Sequence, residues 1–254
     1  MPWRRGRVML GTAEGRTAMR EADDAHLVLL GRFELLAGCG DVTLPKGAQR
    51  LLAYLAIHHG DGVSRQAAAE QLWPECRRQR ATANVRQALW HLRRATERPV
   101  VEPSVDRLRL SPALTVDFCR AVEAAHLVVS SAAPAAEDLT GALSRDLLPY
   151  WADDWLAPER RRWEQVRLHA LEAIAQHLIS AGAHLAALEA AFTAISIDPV
   201  RETAHRTVIA AHLAQGNHGS ALRHYQQYRA LLHRELGVTP SAHMTRLVAS
   251  QAAL

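Results

Sequence analysis

Lysine is nearly missing from this 254-residue chain: of its 30 basic residues, only Lys46 is not an arginine. The arginine fork stays charged and fits phosphates and guanine edges bidentately, so the basic side of the protein suits polyanions. Cysteine is scarce too. Cys39, Cys76 and Cys119 show no CxxC or comparable spacing, which excludes a structural zinc site and a redox pair and fits a reducing compartment. No apolar run is long enough to span a bilayer; the longest uncharged apolar stretch, between Glu172 and Glu189, is broken by Gln176, His177, Ser180 and His184. The arginine-bearing N-terminus has no apolar segment behind it, so a cytoplasmic protein is expected, with no membrane partner. Catalytic signatures are missing as well, with no P-loop, GxGxxG, GxSxG or HExxH. Fourteen histidines do not change this. Seven of them, His184, His205, His212, His218, His224, His233 and His243, are scattered without a ligand cluster. No enzyme, metal or cofactor is expected.

What is present is a globular composition, 48% hydrophobic and 22% charged, with length for about two cores. The formal net charge of +4 is unevenly spread. Residues 24–112 carry 13 lysines and arginines against 9 acids, whereas residues 113–254 carry 12 against 14. Within the front half, Cys76 to Arg98 holds seven arginines and one acid, Glu97. A field this concentrated points to a polyanion, most often nucleic acid.

Three segments follow from the patterning. Residues 1–25 are polar, rich in glycine and arginine, and without period; they read as a flexible tail. In residues 26–112, Leu27–Leu36 and Val42–Leu44 are β-type runs parted by Gly38, Gly40 and Asp41. Helical spacing then starts at Lys46, and a second helix runs from the N-cap Ser64 to Trp73, where Pro74 stops it. A third helix spans about Arg80 to Thr96, with Ala81, Val85, Ala88, Leu89 and Leu92 as its apolar side. Arg80, Asn84, Gln87, His91 and Arg94 recur at helical spacing and are expected on the opposite side. Val100–Glu102 and Leu108–Leu110 read as a hairpin around Pro103, Ser104, Val105 and Asp106. This order is a winged helix-turn-helix with an N-terminal sheet. Residues 113–254 are expected to be wholly helical from Val116 onward. Gly182 and Gly216 stand 34 residues apart, as do Ala187-Leu188 and Ala221-Leu222, which is the tetratricopeptide period. The expected class is therefore mainly α with a small antiparallel β component, a winged helix followed by an all-α tetratricopeptide-like domain.

The third helix carries the strongest functional signal. Arginine, asparagine and glutamine on one exposed helix are the donors that read guanine and adenine in the major groove. An idle solvated face would gain nothing from seven mutually repelling arginines. Lys46, Arg50, Ser64 and Arg65 open the two preceding helices, where free N–H groups suit phosphates, although Ser64 also reads as a plain N-cap. Arg77 and Arg78 precede the third helix and extend the phosphate set. Arg107 and Arg109 alternate with Leu108 on one strand face of the wing, where they could meet backbone or minor groove, or simply be solvated. Asp153, Asp154 and Glu159 read as helix-start carboxylates. Trp151, Trp155 and Trp163 read as packing residues.

Several strings resemble one family. In the front half these are Pro45–Leu52 (PKGAQRLL), Gln71–Pro74 (QLWP) and Ala83–Arg94 (ANVRQALWHLRR). In the back half they are Asp146–Pro149 (DLLP), Asp153–Leu156 (DDWL), Glu159-Arg160, Ile197–Arg206 (IDPVRETAHR), Ala211–Asn217 (AHLAQGN) and Glu235–Ser241 (ELGVTPS). From about His26 to Val248 the chain resembles the small members of the Streptomyces antibiotic regulatory protein (SARP) family, bacterial transcriptional activators. The resemblance implies a response-regulator-type winged helix joined to a bacterial transcriptional activation domain. It implies that Asn84, Gln87, Trp90, His91, Arg93 and Arg94 face the major groove of promoter direct repeats, that protomers sit side by side or as a homodimer, and that RNA polymerase holoenzyme is recruited. Localisation would be cytoplasmic, with the nucleoid when on DNA. The wing is short and lacks the Gly-Tyr step common in the fold. A repressor of the same fold, or a signalling adaptor whose winged helix binds protein, remain as alternative readings.

Overall fold

The computed structural model describes residues 25–38, 40–60, 62–104, 106–131 and 139–249. The expected tail, apart from Ala25, lies outside the described residues, as do Cys39, Asp61, Val105 and residues 132–138 and 250–254 of the expected helical half. The chain divides into two compact units, Met1–Asp117 and Phe118–Leu254.

The first unit opens with strands β1 (Ala25–Val28), β2 (Glu34–Ala37) and β3 (Gly40–Asp41), then helix α1 (Lys46–Ile57). Strand β4 (Val63–Ser64), α2 (Arg65–Leu72), α3 (Arg78–Ala95), and strands β5 (Val101–Pro103), β6 (Arg107–Leu110) and β7 (Leu114–Val116) follow. The run from Leu27 to Leu36 is two strands, because Gly31 takes a positive φ of 87° and turns the chain. Val42–Leu44 lies outside any strand; β3 covers Gly40–Asp41 instead. One sheet has the order β3-β2-β1-β7, in which β7 runs parallel to β1 with Leu27 opposite Val116. The β component is therefore not wholly antiparallel. This pairing also carries the unit past Pro112, where the sequence places the junction, to Asp117, whose carboxylate accepts from the Leu29 and Leu30 amides at 2.8 and 3.1 Å.

A second sheet, ordered β4-β6-β5, forms the wing. Val63 pairs with Leu108, so the wing is stitched to the residue pair that opens α2. Gly62 makes that close approach possible. Its φ is 82°, and a Cβ there would lie 2.7 Å from Arg109 Cγ and 3.0 Å from the Leu108 carbonyl. Ser64 caps α2, accepting from the Ala67 amide at 3.4 Å. The core gathers Leu51, Leu52, Leu55, Ala68, Leu72, Val85, Leu92 and Leu108, all buried.

The second unit comprises α4 (Asp117–Ser131, of which Asp117 closes the first unit), α5 (Leu139–Leu143), α6 (Leu156–Ser180), α7 (His184–Ile197), α8 (Glu202–Ala214), α9 (His218–Leu236) and α10 (Ala242–Ala249). The 34-residue period marks equivalent places in two helix pairs: Gly182 follows α6 and Gly216 follows α8, while Ala187 and Ala221 are both buried where the partner helix packs. Trp151 and Trp155 precede α6 and Trp163 lies within it; all three are buried, and Trp163 meets Phe118 edge-on at 5.4 Å.

Polar groups fasten this unit internally. Arg160 donates to the carbonyls of Leu147, Leu148 and Trp151, holding Leu148 in the left-handed region at φ 45°. Arg167, itself buried, pairs with Asp146 at 2.6 Å. Glu172 receives Arg201 at 2.5 Å and the Thr203 hydroxyl; burial pushes its carboxyl up, but those hydrogen bonds outweigh burial and hold it below the ordinary range. His205 is buried between His224 and Tyr228. Its Nε2 faces the Pro199 carbonyl at 2.9 Å, so that nitrogen donates, and Nδ1 accepts from His224 Nε2 at 3.0 Å. With His205 neutral, as burial favours, this arrangement sets its Nε2–H tautomer and makes His224 the donor between the rings. Burial lowers both histidines, His224 to about 4 with help from His205 and His212 nearby.

Candidate nucleic-acid interface

Helix α3 buries Ala81, Val85, Ala88 and Leu92, four residues spaced so that one narrow stripe faces α1 and α2. The direction of that stripe decides what the rest of the helix presents. Trp90 lies nine residues beyond Ala81, roughly two and a half turns, and so stands opposite the core at 55% exposure. Arg86, Arg93 and Arg94 flank it, all exposed. Of the row Arg80, Asn84, Gln87, His91 and Arg94, only Arg94 comes near the side opposite the core, and Asn84 and His91 lie about a quarter-turn from the buried stripe. Asn84 and His91 are accordingly half-buried and, with Gln87, line a small cleft over Pro45, Gly47 and Trp73. The charge pattern alone marks a straight stripe; only the centre of the apolar stripe says which way it points.

Arg86 is the exposed arginine of α3 that sequence reasoning leaves out of the candidate set. The signal was present, since Arg86 falls between Val85 and Gln87 on the outward side once the wheel is centred on Ala81, Val85, Ala88 and Leu92. Arg86, Trp90 and Arg93 line, with Arg65, Glu97, Pro99 and Val101, a groove of about 520 Å³ between α3 and the wing.

The remaining candidates divide by whether the fold already uses them. Arg65 donates to the Ser104 carbonyl at 3.2 Å, and Arg107 donates to the Gly62 carbonyl at 3.2 Å, so both fasten the wing. Arg50 is half-buried with its guanidinium 5.8 Å from the Trp73 ring. Ser64 is committed to its cap. Arg78 donates to Gln66 at 2.6 Å, and Arg94 lies 4.9 Å over the Trp90 ring. Lys46 is exposed in the first turn of α1, and Arg109 shares with Arg107 the exposed face of β6 while Leu108 between them is fully buried. Among the described residues, the side chains of Arg77, Arg80, Arg86 and Arg93 make no hydrogen bond or ion pair.

The electrostatics are unfavourable to the isolated helix. Arg77 occupies the N-cap of α3, Arg78 and Arg80 follow, and its first turn contains no acid. Cations at a helix N-terminus oppose its dipole by about 0.3–1 kcal/mol each at an exposed site. An anion brought to this end would relieve that repulsion and meet free backbone N–H groups.

Fold and site together define a winged-helix chain with a cationic outward helix, followed by an all-α domain of paired helices. The model of the family "bacterial transcriptional activator domain" matches residues 116–250, more than half of the chain. The chain belongs to this family, which is one of transcription regulators rather than an enzyme class. Among solved structures, the chain is similar to Mycobacterium tuberculosis EmbR in complex with a low-affinity phosphopeptide, with a TM-score of 0.73 at 21% identity. The match covers 91% of this chain and 65% of that one, so this chain spans less than two thirds of EmbR. Comparison with curated proteins gives no match. Among the described residues no helix is long and apolar enough to cross a membrane, and no group of three or more His, Cys, Asp or Glu is placed to hold a metal.

Proposed function

We propose that this chain is a sequence-specific, DNA-binding transcriptional activator. Helix α3 enters the major groove with Arg80, Gln87, Trp90, Arg93 and Arg94, joined by Arg86, while Asn84 and His91 reach bases from its flank. Lys46, Arg77, Arg78, Arg107 and Arg109 meet phosphates, and Arg50, Ser64 and Arg65 chiefly hold the elements that carry them. The observation that carries this reading is that the exposed Arg80, Arg86 and Arg93 of α3 have no hydrogen-bond or ion-pair partner among the described residues, in a helix whose N-terminus already repels cations. The helical unit contacts RNA polymerase, and two protomers lie side by side, head to tail, on promoter direct repeats. Control of a secondary-metabolite gene cluster rests on the sequence resemblance.

The test is a gel-shift titration of the full chain against promoter fragments from its own genomic neighbourhood, repeated over a salt series. The affinity is expected to fall linearly with salt on logarithmic axes, by about 0.9 in slope for each phosphate neutralised. Run-off transcription with RNA polymerase is expected to rise when the chain is added. A fall would make it a repressor, and salt-insensitive or absent DNA binding would leave the adaptor reading.

A further inference from the structure

Trp90 stands out on the outward face of α3. Its neighbours there are arginines and glutamine, yet its indole is 55% exposed, the Arg94 guanidinium lies 4.9 Å from its centroid, and His91 meets it edge-on at 4.9 Å. These contacts steady the ring without covering it. An exposed indole among guanidiniums calls for an apolar partner, and the major groove offers one apolar group on its floor, the C5-methyl of thymine. We infer that Trp90 reads thymine methyl groups, while the arginines around it supply guanine and phosphate contacts. This rests on the DNA-binding reading above and adds the chemical feature that one residue discriminates.

The experiment removes the methyl and nothing else. An operator is first enriched by the full chain from random duplex DNA, and each thymine is then replaced in turn by uracil, which keeps every hydrogen-bonding edge. Wild-type protein is expected to lose affinity at one or two of these positions, by about fourfold for each methyl no longer hidden. Trp90→Ala is expected to bind the thymine and uracil duplexes equally there, with an unchanged melting temperature, because the side chain lies outside the core. Trp90→Phe is expected to keep part of the preference. Equal binding of thymine and uracil by the wild type at every position, or a preference that persists in Trp90→Ala, overturns the inference while leaving DNA binding standing. Enrichment of no sequence overturns it together with the proposed function.

Discussion

In the helical unit, Arg160 gives its fork to three backbone carbonyls, Arg167 meets Asp146 and Arg201 meets Glu172; in the winged-helix unit, Arg77, Arg80, Arg86 and Arg93 have no such partners among the described residues. The same side chain is a staple at these places of the helical unit and an open donor along α3 and at its N-cap. Local composition explains the difference. Residues 113–254 hold 14 acids for 12 arginines, whereas Cys76–Arg98 holds one acid for seven. Partnered and partly buried, an arginine contributes to folding; exposed among its own kind, it contributes only repulsion until an anion arrives.

The largest effect should come from breaking a staple. Arg160→Ala strips donors from the Leu147, Leu148 and Trp151 carbonyls and releases the left-handed Leu148. A destabilisation of about 3 kcal/mol is expected for carbonyls left unsatisfied beside a strained residue. Denaturant unfolding of the full chain should show it, with DNA affinity unchanged under folding conditions. If stability survives, the contrast between the two regions fails on its structural side.

Next comes the open set. Arg86→Ala and Arg93→Ala should each weaken binding to a specific duplex by about 1–3 kcal/mol if they touch bases, or lower the salt slope by about 1 if they touch phosphates. Thermal stability should stay within about 0.5 kcal/mol of wild type, since neither side chain has a hydrogen-bond or ion-pair partner to lose among the described residues. A large loss of stability with intact binding would reverse their assignment.

How much of this could be read beforehand depended on range. Helix α2 was legible at both ends because its signals are local: Ser64 caps it and Pro74 follows its end. The repeat in the second unit was legible because Gly182 and Gly216 recur in one dimension. Strands β4 and β7 were not, because two- and three-residue strands exist only through partners far along the chain, Val63 against Leu108 and Leu114–Val116 against β1. The outward face of α3 was half legible. Its residue types are plain in the sequence, but periodicity alone puts Asn84 and His91 opposite the core and does not single out Arg86, since which side of a helix is outward is set by where α1 and α2 pack. The burial of Arg167 and His205 had no local signal, because polar residues enter a core only when partners from other elements satisfy them.

Acid should sharpen the comparison more gently, through the histidine pair of the helical unit. His224 is lowered from an ordinary 6.5 to about 4 by burial and by the neighbouring histidines, and burial lowers His205 as well. The unfolded chain therefore binds protons below about pH 6.5 that the folded unit does not accept until about pH 4. Stability is full above pH 6.5 and falls as pH drops through that window. Discounted for partial exposure of His224, the loss is about 1–2 kcal/mol. Hydrogen exchange at pH 7 and pH 5 should show it in α8 and α9, and His224→Gln should flatten the dependence.

The smallest effect separates two roles at one residue of the winged-helix unit. Ser64 both caps α2 and sits where a phosphate could approach the helix N-terminus. Alanine removes cap and hydroxyl together, while glycine forfeits only a few tenths of a kcal/mol as an N-cap yet still lacks the hydroxyl. Ser64→Ala should lower stability by about 1 kcal/mol, and Ser64→Gly by much less. If Ser64 belongs with the staples, the glycine variant keeps wild-type DNA affinity. If its hydroxyl also reaches a phosphate, both variants lose affinity equally, because the missing group is the same in each, and the salt slope falls with it. The affinity of the glycine variant relative to wild type, measured at one salt concentration, thus places Ser64 on one side of the line that divides the arginines.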